Sequence, residues 1–134
     1  MKKILLLTHG DFCKGIKNSL DVIISDSSMV DTLSVSVSDS PDEIKERIQN
    51  YIDSVSEDIP VFIITDIPAG STTTNAANFV PYRNNIHLIT GLNLGMLLAI
   101  ALQPLEEGNV KENIHSLLED AKETIVYVND MFGQ

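Results

Sequence analysis

The chain has 134 residues, 43% apolar and 21% charged, the proportions of an ordinary soluble globular protein that buries a substantial core as one domain over 1–134. Nine basic against nineteen acidic side chains leave a net charge of -10, which repels a phosphate backbone and argues against nucleic acid as a partner. A single cysteine makes no internal disulfide, no apolar run approaches a membrane span, and the N-terminal run is too short for a signal peptide, so a cytoplasmic protein is expected.

Lys3-Ile4-Leu5-Leu6-Leu7 reads as a buried parallel strand, and Thr8-His9-Gly10 ends it abruptly. Phe12, Ile16, Leu20 and Ile24 fall four apart and give a first helix one apolar stripe. Leu33-Ser34-Val35-Ser36-Val37 alternates apolar residues with serines, the pattern of a half-exposed edge strand. Ser40-Pro41-Asp42-Glu43 is a capping box with proline at the first helical position, and it launches a helix whose Ile44, Ile48, Ile52 and Val55 face the sheet.

Val61-Phe62-Ile63-Ile64 is a third strand, followed by a helix starting within Ser71–Asn75. His87-Leu88-Ile89-Thr90 is a fourth, and the helix after Asn93 carries Leu94, Leu97, Leu98, Ala101 and Leu102. Val110, Ile114, Leu117, Leu118 and Ala121 keep a helical period to about Glu123, with Asn109 and Glu112 as its cap. Beyond it, Thr124-Ile125-Val126-Tyr127-Val128 is β-branched and aromatic and favours a short strand. Alternating strands and helices imply right-handed crossovers and an α/β fold of three layers, α/β/α, with a mainly parallel sheet.

In such a sheet, ligands sit beyond the carboxyl ends of the strands, which is where His9 lies. Asp66, after the third strand, lies at the same end and meets His9 if the two strands are neighbours. A carboxylate that accepts from one imidazole nitrogen fixes the tautomer and leaves the other nitrogen's lone pair for attack. Gly70 lets the backbone approach an anion, and the hydroxyl-rich start of the third helix adds free N–H groups, with Ser71 and Thr72 as candidate phosphate contacts. Nucleophile, orienter and anion cradle together suit transfer of a phosphoryl group to His9. No G-x-x-x-x-G-K-[ST] loop holds a nucleotide and no acidic cluster is shaped for magnesium, so no metal or cofactor is expected. Another protein's phosphohistidine is then the expected donor.

The blocks Leu5-Leu6-Leu7-Thr8-His9-Gly10, Thr65-Asp66-Ile67-Pro68-Ala69-Gly70-Ser71 and Asn85-Ile86-His87-Leu88-Ile89-Thr90-Gly91-Leu92-Asn93-Leu94-Gly95-Met96-Leu97-Leu98 resemble the enzyme IIA domain of the mannose/fructose/sorbose family of the bacterial phosphotransferase system. The resemblance covers essentially the whole chain. It implies that His9 accepts phosphate from phospho-HPr and passes it to a IIB partner, with IIC and IID membrane subunits served indirectly. It implies that Asp66 supports the imidazole and that Gly70 and Ser71 line the phosphate site. It also implies a homodimer whose sheet is completed by an exchanged, antiparallel C-terminal strand, a task for Ile125–Val128. The chain departs from the family at Ala69, where a second glycine is usual, and at Thr72-Thr73-Thr74-Asn75.

Competing readings remain. A histidine ending a strand is often a structural cap, and the hydroxyl run favours helix caps anyway. A receiver-like module phosphorylated on Asp66 would need an acidic pair after the first strand, where Thr8-His9-Gly10 stands instead. A subunit of the phosphoenolpyruvate-dependent dihydroxyacetone kinase has a similar fold and histidine but a different loop after the third strand. A flavin binder would need a hydroxyl- and glycine-rich first loop, which Asp11-Phe12-Cys13-Lys14 is not. His87, at the opposite sheet end, Cys13 and His115 read as structural or surface residues.

Overall fold

A computed structural model describes residues 1–133. In chain order it comprises β1 (Lys3–His9), α1 (Phe12–Ile23), β2 (Val30–Val35), α2 (Pro41–Asp53), β3 (Val61–Thr65) and α3 (Ser71–Ala76), which tightens into a 3₁₀ turn at Ala77–Tyr82. β4 (Ile86–Thr90), α4 (Leu94–Leu102), α5 (Val110–Lys122) and a 3₁₀ turn at Val128–Phe132 follow. The four strands are all parallel, in the order β2-β1-β3-β4.

Side chains alternate across the sheet with period two, and both faces are covered. Ile4, Leu6, Phe62 and Ile64 pack with Cys13, Ile16 and Leu20 of α1, Leu97 and Ile100 of α4, and Leu117 of α5. Leu5, Leu7, Val61 and Ile63 pack on the other face with Ile44, Ile48 and Ile52 of α2 and Ala76 of α3. The result is the expected three-layer α/β/α arrangement.

The helix starts follow their capping residues. Ser40 accepts from the Glu43 N–H at 3.1 Å with Pro41 behind it, Asn93 from the Met96 N–H at 2.9 Å, and Asn109 from the Glu112 N–H at 3.1 Å. At α1 the work falls to a residue further back, since the Thr8 hydroxyl accepts from the Cys13 N–H at 2.9 Å.

Three expectations are corrected. Phe12 is not on the buried stripe of α1: Cys13, Ile16 and Leu20, spaced three and four apart, fill the core arc, and Phe12 is turned outward. β2 runs earlier than the serine alternation indicates, ending at Val35, because the Ser36 N–H donates to Asp39 Oδ2 at 2.8 Å and turns the chain, leaving Val37 in solvent. No strand forms at Thr124–Val128 within the single chain. A strand needs a hydrogen-bonding neighbour, and these residues stand out in solvent, with Ile125 78% exposed.

Candidate functional site

The topology creates the site. α1 crosses from β1 to β2 on one face, whereas α2 returns from β2 to β3 on the other, so the strand order reverses between β1 and β3. The chain leaves the carboxyl ends of those two strands toward opposite faces of the sheet, the place where such sheets receive ligands. Leu7 is registered against Thr65, which brings the residues just past them, His9 and Asp66, to one place.

Gly10, at φ +59°, turns the chain out of β1 immediately after His9. The ring therefore stays at the surface: the His9 side chain is 43% exposed and that of Asp66 only 13%. Asp66 Oδ2 accepts from the His9 backbone N–H at 2.9 Å and lies 2.8 Å from ring Nδ1. Its other oxygen, Oδ1, accepts from the Thr72 hydroxyl at 2.9 Å and from the Ile67 N–H at 3.1 Å. Burial by itself raises the Asp66 carboxyl, but the hydrogen bonds from His9, Thr72 and the local backbone outweigh it and hold the group below the ordinary carboxylate range. Asp66 is thus ionised at neutral pH. An ionised carboxylate only accepts, so the 2.8 Å contact places a proton on Nδ1, and in the neutral form of the ring the lone pair is then on Nε2.

The loop after β3 closes the other side. Gly70 adopts φ +103°, and a Cβ built on it stands 3.1 Å from His9 Cε1 and 3.3 Å from Nε2. Only glycine supplies both that backbone conformation and that approach. The four hydroxyls that follow diverge. Ser71 Oγ lies 3.4 Å from His9 Nε2, on the open side of the ring. Thr72, expected against phosphate, has instead a fully buried side chain whose hydroxyl is committed to Asp66. Thr73 bonds Thr65 Oγ1 at 2.7 Å and the Ile67 carbonyl at 2.6 Å, tying the loop to the end of β3, while Thr74 faces solvent. A run of like residues on a helix turns through about 100° per step, so its members cannot share one target.

Two side chains beside the site escape a reading of the sequence as chemistry. Phe12 and Ile67, on the segments that follow His9 and Asp66, are 47% and 51% exposed. The signal for Phe12 was present in the stronger 13-16-20 core spacing; for Ile67 nothing in the local pattern indicated it. Cys13 is fully buried at the first turn of α1, with Sγ 3.3 Å from Ser34 Oγ, a packing role. His87 lies at the far end of the sheet and His115 on the exposed face of α5. Among the described residues no group of three or more His, Cys, Asp or Glu could hold a metal, and no helix is long and apolar enough to cross a membrane.

The structure is similar to the phosphotransferase system component EIIA of Streptococcus agalactiae, with a TM-score of 0.85 at 22% identity over 97% of this chain and 99% of that one. It is similar to the mannose/sorbose-specific IIA subunit of Enterococcus faecalis, with a TM-score of 0.84 at 20% identity over 94% of each chain. The IIA protein associated with the fucose utilisation operon of Streptococcus pneumoniae gives a TM-score of 0.82 at 20% identity over 98% of this chain and 96% of that one. At such identities these likenesses show the shared fold. The family model for the PTS system fructose IIA component matches residues 3–121, a span that includes both strand ends and the loop after β3. The chain belongs to that family and is a component of a sugar phosphotransferase system.

Proposed function

We propose that the protein is a phosphoryl carrier between two protein partners in the cytoplasm, a single domain that accepts phosphate from phospho-HPr on His9 and passes it to a IIB component, with IIC and IID subunits moving the sugar. The observation that carries this reading is the 2.8 Å contact between Asp66 Oδ2 and His9 Nδ1, which leaves Nε2 free on an exposed edge. The Nε2 lone pair attacks phosphorus, the donor's P–N bond breaks, and its electron pair returns to the donor imidazole. The proton on Nδ1 stays in place, and Asp66 offsets the positive charge that develops on the ring. Ser71 Oγ donates to a phosphoryl oxygen, and Gly70 leaves room for it beside the ring. Exchange between two phosphohistidines is nearly balanced in energy, so in-line positioning carries the step.

The exposed ring, with Phe12 and Ile67 also exposed on the segments that follow His9 and Asp66, suits a protein partner better than a small molecule enclosed in a cavity. The -10 net charge favours basic docking patches on both partners. The unpaired outer edge of β4 and the solvent-facing Ile125–Val128 support the second part of the proposal: a homodimer in which this segment pairs antiparallel with β4 of another copy. A chain truncated after Glu123 then sediments as a monomer where the full chain is a dimer; an unchanged dimer excludes the exchange.

The carrier itself is tested by incubation with phosphoenolpyruvate, enzyme I and HPr. The native chain takes up about one equivalent of acid-labile phosphate per chain, the stability class of a phosphohistidine. Equal uptake by His9→Ala rejects the reading, and acid-stable, hydroxylamine-labile phosphate assigns it to Asp66 instead.

A further inference from the structure

We infer that Thr72 is a positioning residue of the reaction, setting the plane of the Asp66 carboxylate from the side opposite His9. The inference rests on the carrier reading above and assigns to Thr72 a task distinct from contact with phosphate. Its side chain is fully buried, so its hydroxyl has no access to an arriving phosphoryl group, and its one acceptor is Asp66 Oδ1 at 2.9 Å. The hydroxyl reaches six residues back, across the loop, to a side chain.

The need for such an anchor follows from the carboxylate's freedom. Both bonds from His9 end on Oδ2, at 2.9 and 2.8 Å. Two donors on one oxygen leave the group free to pivot about that oxygen and to swap it for the other. Oδ1 is held by two donors of different origin. The Ile67 N–H, at 3.1 Å, belongs to the neighbouring residue and moves with Asp66. Thr72 alone among the four comes from α3, so its bond ties the loop after β3 to a separate element. That element is itself fixed by the Thr73 bonds to Thr65 and Ile67. With the pivot blocked, the Oδ2 lone pair stays aimed at Nδ1 while Nε2 gains and loses the phosphoryl group. Without it, Nδ1–H loses its dedicated acceptor and the ring populates the Nε2–H tautomer, which has no lone pair for attack.

The test compares native protein with Thr72→Val, which keeps the shape and removes the hydroxyl, and Thr72→Ser, which keeps the hydroxyl. Nitrogen-15 NMR of the His9 ring at about pH 8.5, where an ordinary imidazole is neutral, reads the tautomer directly. Uptake from phospho-HPr reads the rate. The expected result is a shift toward the Nε2–H tautomer and an uptake rate lower by about tenfold in Thr72→Val, the factor a hydrogen bond to a charged group typically carries, with both restored in Thr72→Ser. A native tautomer population and native rate in a folded Thr72→Val protein overturn the inference, as does a Thr72→Ser protein that fails in the same way as Thr72→Val. Should Thr72→Val not fold, Thr72→Ala against Thr72→Ser makes the same comparison without added bulk. The tautomer measurement needs no partner, so it decides the role of Thr72 even if native protein takes no phosphate from phospho-HPr and the carrier reading falls.

Discussion

His9 and His87 stand at opposite ends of the same parallel sheet, and the contrast between them shows how one fold gives two imidazoles different surroundings. His9 ends β1, exposed, with its Nδ1 2.8 Å from an ionised carboxylate. His87 is the second residue of β4 and is registered against Phe62, on whose ring it stacks at a centroid distance of 5.3 Å and an interplanar angle of 25°. Burial pushes the His87 imidazole below its ordinary value, and the charge of Lys111 adds to the effect. One ring is given an acceptor that holds a proton on a chosen nitrogen. The other is given an apolar neighbour and a cation, which favour the neutral ring and assign it no task beyond packing. The difference comes from the sheet: His9 stands at the carboxyl ends, where the strand order reverses, and His87 at the amino end of β4.

Removing the carboxylate is the largest expected perturbation of this contrast short of removing His9. In Asp66→Asn the oxygen bonded to His9 can be retained, but the amide nitrogen then faces the Ile67 N–H, donor against donor, and no charge offsets the ring. Uptake from phospho-HPr falls by about 10³, as expected where the charge that orients and balances the ring is lost. The same variant alters stability with a definite sign. Because the folded carboxyl lies below its unfolded value, its contribution is present above about pH 4 and is lost as pH falls through the folded value. Urea unfolding across that range then varies less steeply with pH in Asp66→Asn than in the native chain. An equal slope contradicts the charge-holding role given to the hydrogen bonds.

Crowding the ring without touching its partners comes next. Gly70→Val introduces a branched side chain where a single Cβ already stands 3.1 Å from His9 Cε1, at a φ of +103° that valine resists. Displacing the ring by about 1 Å lowers the rate by about 10², read as initial uptake with circular dichroism confirming the fold. A native rate would mean that the loop moves aside freely and that Gly70 has no place in the site.

The smallest effect on transfer is expected at the other end. His87→Gln leaves the uptake rate native and changes only the pH dependence of stability. A ring kept neutral in the fold contributes fully above its unfolded value of about 6.5, and the contribution declines as pH falls toward the lower folded value. That decline is absent in His87→Gln, as measured by thermal unfolding between about pH 7 and 5. A loss of transfer in this variant would break the separation of the two ends.

Much of the fold was legible because buried parallel strands write unbroken apolar runs and their helices near-period-four patterns along the chain. The caps Ser40, Asn93 and Asn109 stand at the helix starts. What escaped depended on competition between neighbours. Phe12 and Cys13 both suit an apolar arc; the 13-16-20 spacing favours Cys13, and the packed core holds it inside while Phe12 stays out. Thr124–Val128 has every local mark of a strand, yet strand formation is a property of a pair, and within one chain the segment has no partner.

Taken alone, the amino-acid sequence determined that His9 and Asp66 end parallel strands, because apolar runs stop where the chain leaves the core and both residues stand at such a stop. It also determined that a glycine and a hydroxyl run follow Asp66. The tertiary structure decided which hydroxyl serves which partner. Ser71 points to the ring, Thr72 to the carboxylate and Thr73 to the loop, since helical geometry turns successive side chains apart and only the packed neighbours define what each one meets. It decided as well that the reversal of strand order falls between β1 and β3, which brings residues 57 positions apart to within 2.8 Å.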